Sequence, residues 1–292
     1  MSTAGSTYSI VGYDPERKEW GIAVQSKFLA VGALVPWVRE GVGAVATQSM
    51  TNTNFGTVGV RLLEEGKTLE EAYNLLMESD EGIELRQFAI MDHQGNVMAH
   101  TGKGCVPYAG HRLGKNYACQ GNMLLGDVVI TKMAEAFENH RGDLSQGLFE
   151  ALEAGQQAGG DRRGRQAAAI LVKSLRGHNL GFGNTKMDLR VDDHLDPIGE
   201  LKRLIGRHRV IFSENFRDRW IPFEGEVKEE VQHMMIFGEI IKNSLATGET
   251  LEKAIRSFAK GLGMSGKEVF REGWISGEVI DRITKVYYQK NH

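Results

Sequence analysis

The sequence predicts an α+β fold: a four-layer αββα sandwich in which two antiparallel sheets pack face to face between helices, followed by a helical C-terminal extension. Three observations support this prediction. Short β-rich segments occur in pairs joined by turn sequences, pairs of amphipathic helical segments separate the groups of strands, and the segments after residue 205 are helix-forming. Strands joined by hairpins form antiparallel sheets, which helices then cover on one face.

The predicted strands are runs of β-branched, aromatic or apolar residues bounded by turn residues. In chain order they are residues 8–12, 20–25, 42–48, 86–91, 96–100, 117–123, 167–173 and 187–192. The turn sequences DPERKE (14–19) and DHQG (92–95) predict that the first and second strands, and the fourth and fifth, form hairpins. Residues 42–48 are apolar on both faces up to Gln48, so we expect this strand to lie between layers.

The predicted helices have apolar residues at helical spacing and recognisable ends. Thr68 and Glu71 form a capping-box pattern, and Asp143 is a suitable N-cap for a helix that ends at Gly159-Gly160. In chain order the helices are predicted over 58–65, from 68 onward, and over 127–139, 143–158, 197–204, 226–246, 250–262 and 267–288. We therefore predict a leader (1–6), a sandwich domain (7–205) and a helical C-terminal domain (206–292).

The composition narrows the classes of function. The chain has 292 residues, 41% hydrophobic and 25% charged, which is typical of a globular protein. Its net charge of -3 provides no general attraction to nucleic acid or an anionic membrane. Residues 1–6 do not form a signal sequence, and no apolar run reaches the length of a membrane span. We therefore expect a cytoplasmic protein with no nucleic-acid or membrane partner.

Metal or cofactor binding is not predicted. Two cysteines, Cys105 and Cys119, do not predict a disulfide framework or a four-ligand zinc site. The cluster of Asp188, Asp192, Asp193 and His194 could suit a hard cation, but its spacing matches no specific metal-binding loop. A charged turn after a strand is the simpler interpretation, and we expect no cofactor and no metal.

A series of motifs covers most of the predicted sandwich domain. They are TYSIV (7–11), QSKFLAVGALVPW (25–37), GVGAVATQ (41–48), AHTG (99–102), YAGHR (108–112), QGN (120–122), GGDRRGRQ (159–166) and DLRVDDH (188–194). In sequence and order they resemble the domain of unknown function 1028 family, a bacterial and archaeal family of Ntn-hydrolase-like proteins. The resemblance implies the same αββα sandwich and an amidase-like hydrolase.

By this resemblance Thr7 is the candidate catalytic nucleophile. An N-terminal nucleophile hydrolase uses the hydroxyl or thiol of its first residue as nucleophile and its own α-amine as the base. The amine suits this role because its unperturbed pKa is about 7.7–8.0. Six residues precede Thr7, so its nitrogen is an amide until they are removed. Removal of Met1 alone would expose Ser2, a second candidate, and a strand-start threonine without a chemical role is the alternative.

Lys27 is the second candidate catalytic residue. It follows Ser26 at the end of the second predicted strand, where proteasome-type relatives have an Asp-Ser-Arg sequence. A lysine or serine close to the nucleophile lowers its pKa or relays its proton. Gln25 replaces the acidic residue of that sequence, so a solvated strand end is the alternative.

Two amides and one histidine are further candidates. Asn122 and Gln48 end predicted buried strands, where a rigid amide N–H stabilises the oxyanion of a tetrahedral intermediate. We predict Asn122 as a catalytic residue and Gln48 as a substrate-binding residue, and hydrogen bonding within turns is the alternative. His111 lies in a glycine-rich segment and is a candidate substrate-binding donor; a structural histidine is the alternative.

The loop GGDRRGRQ (159–166) is the most distinctive string in the chain. Its arginines suit bidentate binding of a substrate carboxylate, with Asp161 holding one guanidinium. We therefore predict Asp161, Arg162 and Arg163 as substrate-binding residues. A glycine-capped surface loop without a ligand is the alternative.

The leading hypothesis is an N-terminal nucleophile amidase that cleaves a non-peptide C–N amide bond of a small, acidic metabolite. The main alternative is a noncatalytic Ntn-like ligand-binding or assembly subunit. A third, DNA binding by the tail, depends on the helix-turn-helix spacing of Ala259, Gly263 and Val269. Glu268 and Glu272 would face phosphate there, so helix packing or oligomerisation is favoured and we expect a homo-oligomer.

Overall fold

The computed structural model describes residues 7–177, 183–212, 220–241 and 248–291. The predicted leader, residues 1–6, lies outside the described residues. The chain divides into two compact units, the first ending at Lys202 and the second beginning at Arg203. No helix in the described ranges is long and apolar enough to cross a membrane.

Unit 1 contains two antiparallel sheets. The first has six strands in the order β10-β9-β2-β1-β8-β7, and the second has four in the order β3-β4-β5-β6. Their bounds are Thr7–Asp14 (β1), Glu19–Ser26 (β2), Pro36–Arg39 (β3), Gly43–Ser49 (β4), Arg86–Asp92 (β5), Val97–Thr101 (β6), Gly110–Gly114 (β7), Tyr117–Asn122 (β8), Ala167–Ser174 (β9) and Thr185–Val191 (β10). Strand β1 is central, with β2 on one side and β8 on the other.

Helices contact both sheets. Helices α1 (Asn54–Glu64) and α2 (Leu69–Glu78) pack on the four-stranded sheet, whereas α3 (Val128–Asn139) and α4 (Leu144–Gln157) pack on the six-stranded sheet. The two sheets also contact each other, and helix α5 (Pro197–Phe212) follows β10. The predicted mixed α/β fold with antiparallel sheets is confirmed.

Strand β1 shows how the sequence positions the layers. Because successive side chains of a strand point to opposite faces, Val11 and Tyr13 join the core between the sheets while Gly12 faces the helices. Other members of this inner core come from both sheets: Trp20, Ile22, Val24, Ala44, Ala46, Ala89, Met91 and Ala118. Thr7 and Ser9 have the same parity as Val11, so the beginning of β1 carries polar groups between the sheets.

Two strands of unit 1 have no clear sequence signal. Strands β3 and β7 lie at the edges of their sheets. The sequence of β7 is GHRLG, with glycine at both ends and exposed side chains between, so no hydrophobic pattern marks it. Strand β3 begins with Pro36, which is tolerated at the first residue of an edge strand.

Unit 2 combines helices with a small antiparallel sheet. The helices described there are α6 (Gly225–Phe237), α7 (Gly248–Gly261), α8 (Gly266–Val269) and α9 (Gly277–Asn291). The strands are β11 (Trp220–Pro222), β12 (Phe270–Arg271) and β13 (Trp274–Ser276), in the order β11-β13-β12. Val231, Met235, Leu251, Ile255, Ile275 and Ile280 are among the residues of its core.

The prediction of a continuous helix over 267–288 is wrong. Helix α8 ends at Val269, and the β12-β13 hairpin precedes α9. The turn residues Glu272 and Gly273 have φ values of 35° and 85°, which no α-helix contains. Because α8 has only four residues and a strand follows it, the described residues place no recognition helix at the predicted helix-turn-helix position.

The predicted helix over 226–246 is too long. Helix α6 ends at Phe237, and Gly238 occupies its C-cap. Glycine favours a helix end because fixing its backbone inside a helix costs more conformational entropy than fixing that of any other residue. Residues 242–247 of the predicted helix lie outside the described residues.

Candidate functional site

Thr7 is the first residue of the central strand and is flanked on both sides by polar residues. It pairs with Ser26 of β2 and with Asn122 of β8. Residues directly opposite each other in antiparallel strands have side chains on the same face. All three are buried, and the Thr7 Oγ1 lies 3.1 Å from the Ser26 Oγ. The structure therefore brings together two residues predicted as catalytic, Thr7 and Asn122, and adds Ser26.

Gln48 of β4 holds the beginning of β1. Its Oε1 accepts a hydrogen bond from the Ser9 hydroxyl at 2.7 Å. Its Nε2 donates to the Thr7 carbonyl at 3.2 Å and to the Gln87 Oε1 at 2.9 Å. An amide nitrogen has two hydrogens, and both are directed at protein acceptors. Gln48, predicted to bind substrate, thus positions the backbone of the candidate nucleophile.

Gln87 of β5 joins these groups and is absent from the sequence-based candidates. Its Oε1 also accepts from the Asn122 Nδ2 at 3.0 Å. Its Nε2 lies within hydrogen-bond distance of the Gly121 carbonyl (2.8 Å), the Gly110 carbonyl (3.0 Å) and the Thr101 hydroxyl (3.0 Å). One fully buried amide thus links Gln48 and Asn122 across the two sheets. The sequence signal was a polar residue inside the apolar strand RQFAIMD.

Asp161 fixes the arginine loop next to Thr7. Its side chain is fully buried and accepts from the backbone N–H groups of Lys27 and Arg163, each at 2.8 Å, and from the Arg163 guanidinium at 3.3 Å. The backbone N–H of Arg162 donates to the Met123 carbonyl at 3.0 Å. Lys27 follows β2 and Met123 follows β8, so this loop connects the ends of the two strands that flank β1.

The cations of this region have different partners. Arg163 pairs with Asp161, and Arg165 pairs with Asp196 at 2.8 Å. Arg162 and Lys27 are exposed and have no ion pair among the residues that the structure describes. The three arginines are therefore not equivalent: within the described stretches of the chain, Arg163 and Arg165 have ion pairs and Arg162 has none. The backbone of Lys27, and not its ammonium group, carries its hydrogen bond to Asp161.

His111 lies at the edge of the amide network. Its Nδ1 is 2.9 Å from the Thr101 hydroxyl, which is also within reach of Gln87. Partial desolvation of the ring, followed by the nearby His100, lowers the pKa of His111 below its ordinary value. His111 is thus connected to Asn122 through two intervening side chains and does not contact Thr7 directly.

The face of β1 and β2 that is turned towards the helices also carries buried polar side chains. Gln25 lies opposite Tyr8, whose hydroxyl donates to the Leu152 carbonyl of α4 at 3.4 Å. Gln25 is fully buried, and neither end of its amide has a hydrogen-bond partner among the described residues. Burial, reinforced by Asp161, raises the pKa of Tyr8 well above its ordinary value. Gln25 therefore faces the helices, away from Thr7.

A cavity of about 530 Å³ lies at the other end of β1. Tyr13, Asp14, Tyr117 and Phe137 contribute to its lining. Strand β1 has eight residues, so this cavity is about 23 Å from Thr7 at about 3.3 Å per residue. In the described parts of the chain, no group of three or more His, Cys, Asp or Glu side chains is arranged to hold a metal ion.

The fold and the site define a mixed α-β protein whose first unit has two antiparallel sheets, with a buried Thr-Ser-Asn group at the ends of the central strands of the larger one. The family model described as "Family of unknown function (DUF1028)" matches residues 7–201, and this chain belongs to that family. The predicted family membership is confirmed. The crystal structure of protein SPO2555 from Silicibacter pomeroyi, described with the same family, is 31% identical, with a TM-score of 0.64 over 70% of this chain and 86% of that chain. No curated protein matches this chain.

Proposed function

We propose that the protein is an N-terminal nucleophile amidohydrolase that cleaves a non-peptide C–N amide bond of a small, acidic metabolite, with Thr7 as the nucleophile. The observation that carries the proposal is the position of Thr7, which begins the central strand with its hydroxyl 3.1 Å from Ser26 and Asn122 directly opposite. Two antiparallel sheets packed between helices are consistent with the αββα sandwich of Ntn hydrolases. A second support is the resemblance of the sequence motifs to a family of Ntn-hydrolase-like proteins.

The chemistry requires a free amine on Thr7. While residues 1–6 are attached, the Thr7 nitrogen is an amide and takes up no proton near neutral pH. Once it is freed, an α-amine with an unperturbed pKa of about 7.7–8.0 accepts the proton of Oγ1 as this oxygen attacks the substrate carbonyl carbon. Ser26, at 3.1 Å from Oγ1, orients the hydroxyl.

The remaining steps release the two halves of the substrate. The Asn122 amide donates to the oxyanion of the tetrahedral intermediate, a contribution that preorganised donors make most strongly in a buried site. The C–N bond then breaks, the amine product leaves with the proton, and Thr7 carries the acyl group as an ester. Water hydrolyses the ester, which releases a carboxylic acid and restores the threonine hydroxyl. Arg162 binds a carboxylate of the substrate.

The test compares the full chain with a variant that lacks residues 2–6, in which removal of Met1 leaves Thr7 first. Intact-mass measurement identifies the first residue, and release of free amine from a panel of acidic amides measures turnover. We expect turnover only from protein whose mass shows Thr7 as the first residue. Thr7→Ala in that protein should lower kcat by about 10³-fold or more, because the nucleophile is lost.

Two controls accompany this test. Thr7→Ser keeps a hydroxyl and should retain measurable turnover, whereas Thr57→Ala removes a threonine from the exposed surface of α1 and should change nothing. Thermal unfolding of each variant checks that the fold is intact. Full turnover by protein that still begins at Met1 or Ser2 would eliminate Thr7 as an N-terminal nucleophile.

A noncatalytic ligand-binding subunit is the second candidate. It is favoured by the hydrogen bonds of Gln48, whose two N–H groups are both directed at protein acceptors, as a purely structural network requires. This function predicts a rise in unfolding temperature with an acidic ligand but no turnover in any form of the protein. Thr7→Ala would then alter stability alone.

A further inference from the structure

Four large apolar side chains are exposed around the end of the sheet where the candidate nucleophile lies. Phe28 and Leu29 follow β2 and are 40% and 55% exposed, and Leu125 follows β8 and is 65% exposed. Tyr108 is 37% exposed, and its carbonyl accepts from the Leu124 N–H at 3.0 Å, which places it beside the same segment. We call Phe28, Leu29, Tyr108 and Leu125 the apolar rim.

Two exposed cations belong to the same segments as these apolar side chains. Lys27 directly precedes Phe28, and the Arg162 backbone is hydrogen-bonded to Met123, two residues before Leu125. Neither cation has an ion pair within the described part of the chain. Exposed apolar groups on the segments next to a polar site are a candidate binding surface, and a guanidinium without an ion pair can bind a carboxylate. The surface around Thr7 is thus complementary to a ligand that is apolar at one end and anionic at the other.

We propose that the substrate is an N-acyl amino acid, whose acyl chain lies on the apolar rim and whose carboxylate pairs with Arg162. The proposal rests on the proposed function, because Thr7 is the residue that would cleave its amide. The Thr7 Oγ1 bonds to the acyl carbon, the C–N bond breaks, and the free amino acid leaves with the proton. Water then hydrolyses the acyl ester to a fatty acid.

The competing occupant of the apolar rim is a second copy of this chain. In a twofold interface the same surface faces itself, so Lys27 and Arg162 of one copy would approach the same cations of its partner. Like charges brought together at an interface oppose association. The charge of this surface therefore favours an amphipathic anion over a second copy.

The experiment measures binding by calorimetry to full-length Thr7→Ala protein and turnover by the form that begins at Thr7. The ligands are N-acetylglycine, N-hexanoylglycine and N-decanoylglycine, with the methyl ester of N-decanoylglycine as an uncharged analogue. Each buried methylene should strengthen binding by about two- to fourfold. Arg162→Ala should weaken binding of N-decanoylglycine about tenfold and leave binding of its methyl ester unchanged. Leu125→Ser should weaken binding of N-decanoylglycine more than binding of N-acetylglycine.

Matched variants elsewhere serve as controls. Arg165→Ala removes an arginine of the same loop that is paired with Asp196. Leu175→Ser removes a leucine that is 54% exposed after β9, beside Ser174, which pairs with Glu19 at the far end of β2. Neither variant should change binding of any of these ligands.

The outcomes separate the two proposals. Binding that depends on chain length and on Arg162, without turnover, supports this ligand class and rejects the hydrolase. Turnover of acidic amides that is independent of acyl length supports the hydrolase and overturns the N-acyl amino acid. Absence of both binding and turnover with every ligand also overturns the proposal that the substrate is an N-acyl amino acid. A dimer that Leu125→Ser dissociates, in protein that binds no acyl ligand, assigns the apolar rim to a second copy.

Discussion

Gln87 and Gln25 are both fully buried glutamines in unit 1, and their surroundings differ sharply. Gln87 faces the other sheet and uses both ends of its amide, towards Gln48 and Asn122 at the oxygen and towards the Gly121 carbonyl at the nitrogen. Gln25 faces the helices, and neither end has a partner among the described residues. Because an unpaired buried polar group costs about 1–3 kcal/mol, the first amide stabilises the site and the second destabilises the fold.

The largest expected effect is that of Gln87→Leu. The substitution leaves N–H groups of Gln48 and Asn122 and the Gly121 carbonyl without their partner inside the protein. We expect the free energy of unfolding to fall by about 3 kcal/mol, measured by equilibrium denaturation in urea. Gln94→Leu, in an exposed turn, is the control and should have little effect. A loss below about 1 kcal/mol would show that water replaces the Gln87 amide.

A smaller effect of opposite sign is expected for Gln25→Leu. Leucine fills a similar volume without a polar group that lacks a partner, so the free energy of unfolding should rise by about 1 kcal/mol. The same urea experiment measures it, and Gln25→Ala should instead destabilise because it opens a cavity. If leucine destabilises the protein, the Gln25 amide makes hydrogen bonds with a bound molecule. Gln25 and Gln87 would then both stabilise the fold.

Local sequence patterns predict the strands that carry the site but not the contacts within it. The DPERKE turn and the β-rich runs beside it define the β1-β2 hairpin, which fixes Thr7 opposite Ser26. Gln87, in contrast, is 35 positions from Asn122 and lies in the other sheet. Its role depends on how two sheets pack, which no local pattern encodes.

The arginine loop illustrates the same limit. Arg162 and Arg163 are adjacent and chemically identical, and the sequence offers no reason to treat them differently. Arg163 pairs with Asp161 two positions away, whereas Arg162 has no ion pair within the described ranges. The two backbones are also held differently, because the Arg162 N–H donates to Met123, far away in the chain, and the Arg163 N–H donates to the Asp161 carboxylate.

The smallest expected effect concerns Glu19, which lies on the same face of β2 as Gln25. Its Oε2 likewise has no hydrogen-bond partner within the described part of the chain. Burial raises the pKa of Glu19 above 4.5. Lys186, whose Nζ lies 2.7 Å from Oε1, acts in the opposite direction, and the nearby Asp143 and Asp14 raise the pKa of Glu19 further. A carboxyl whose pKa is higher in the folded state favours folding below pH 4.5, and this contribution is lost as the pH rises through the folded-state pKa.

Glu19→Gln mimics the protonated carboxyl at every pH, so it isolates that contribution. The free energy of unfolding of the wild type relative to Glu19→Gln should decrease from about pH 4 to about pH 7, by less than the gain expected from Gln25→Leu. Urea denaturation of both proteins across this range measures the difference, and Glu16→Gln, on the exposed turn, is the control. If the free energy of unfolding of the wild type relative to Glu19→Gln instead increases with pH, Lys186 keeps Glu19 ionised in the folded protein. Gln25 would then be the destabilising polar residue on this face of β2.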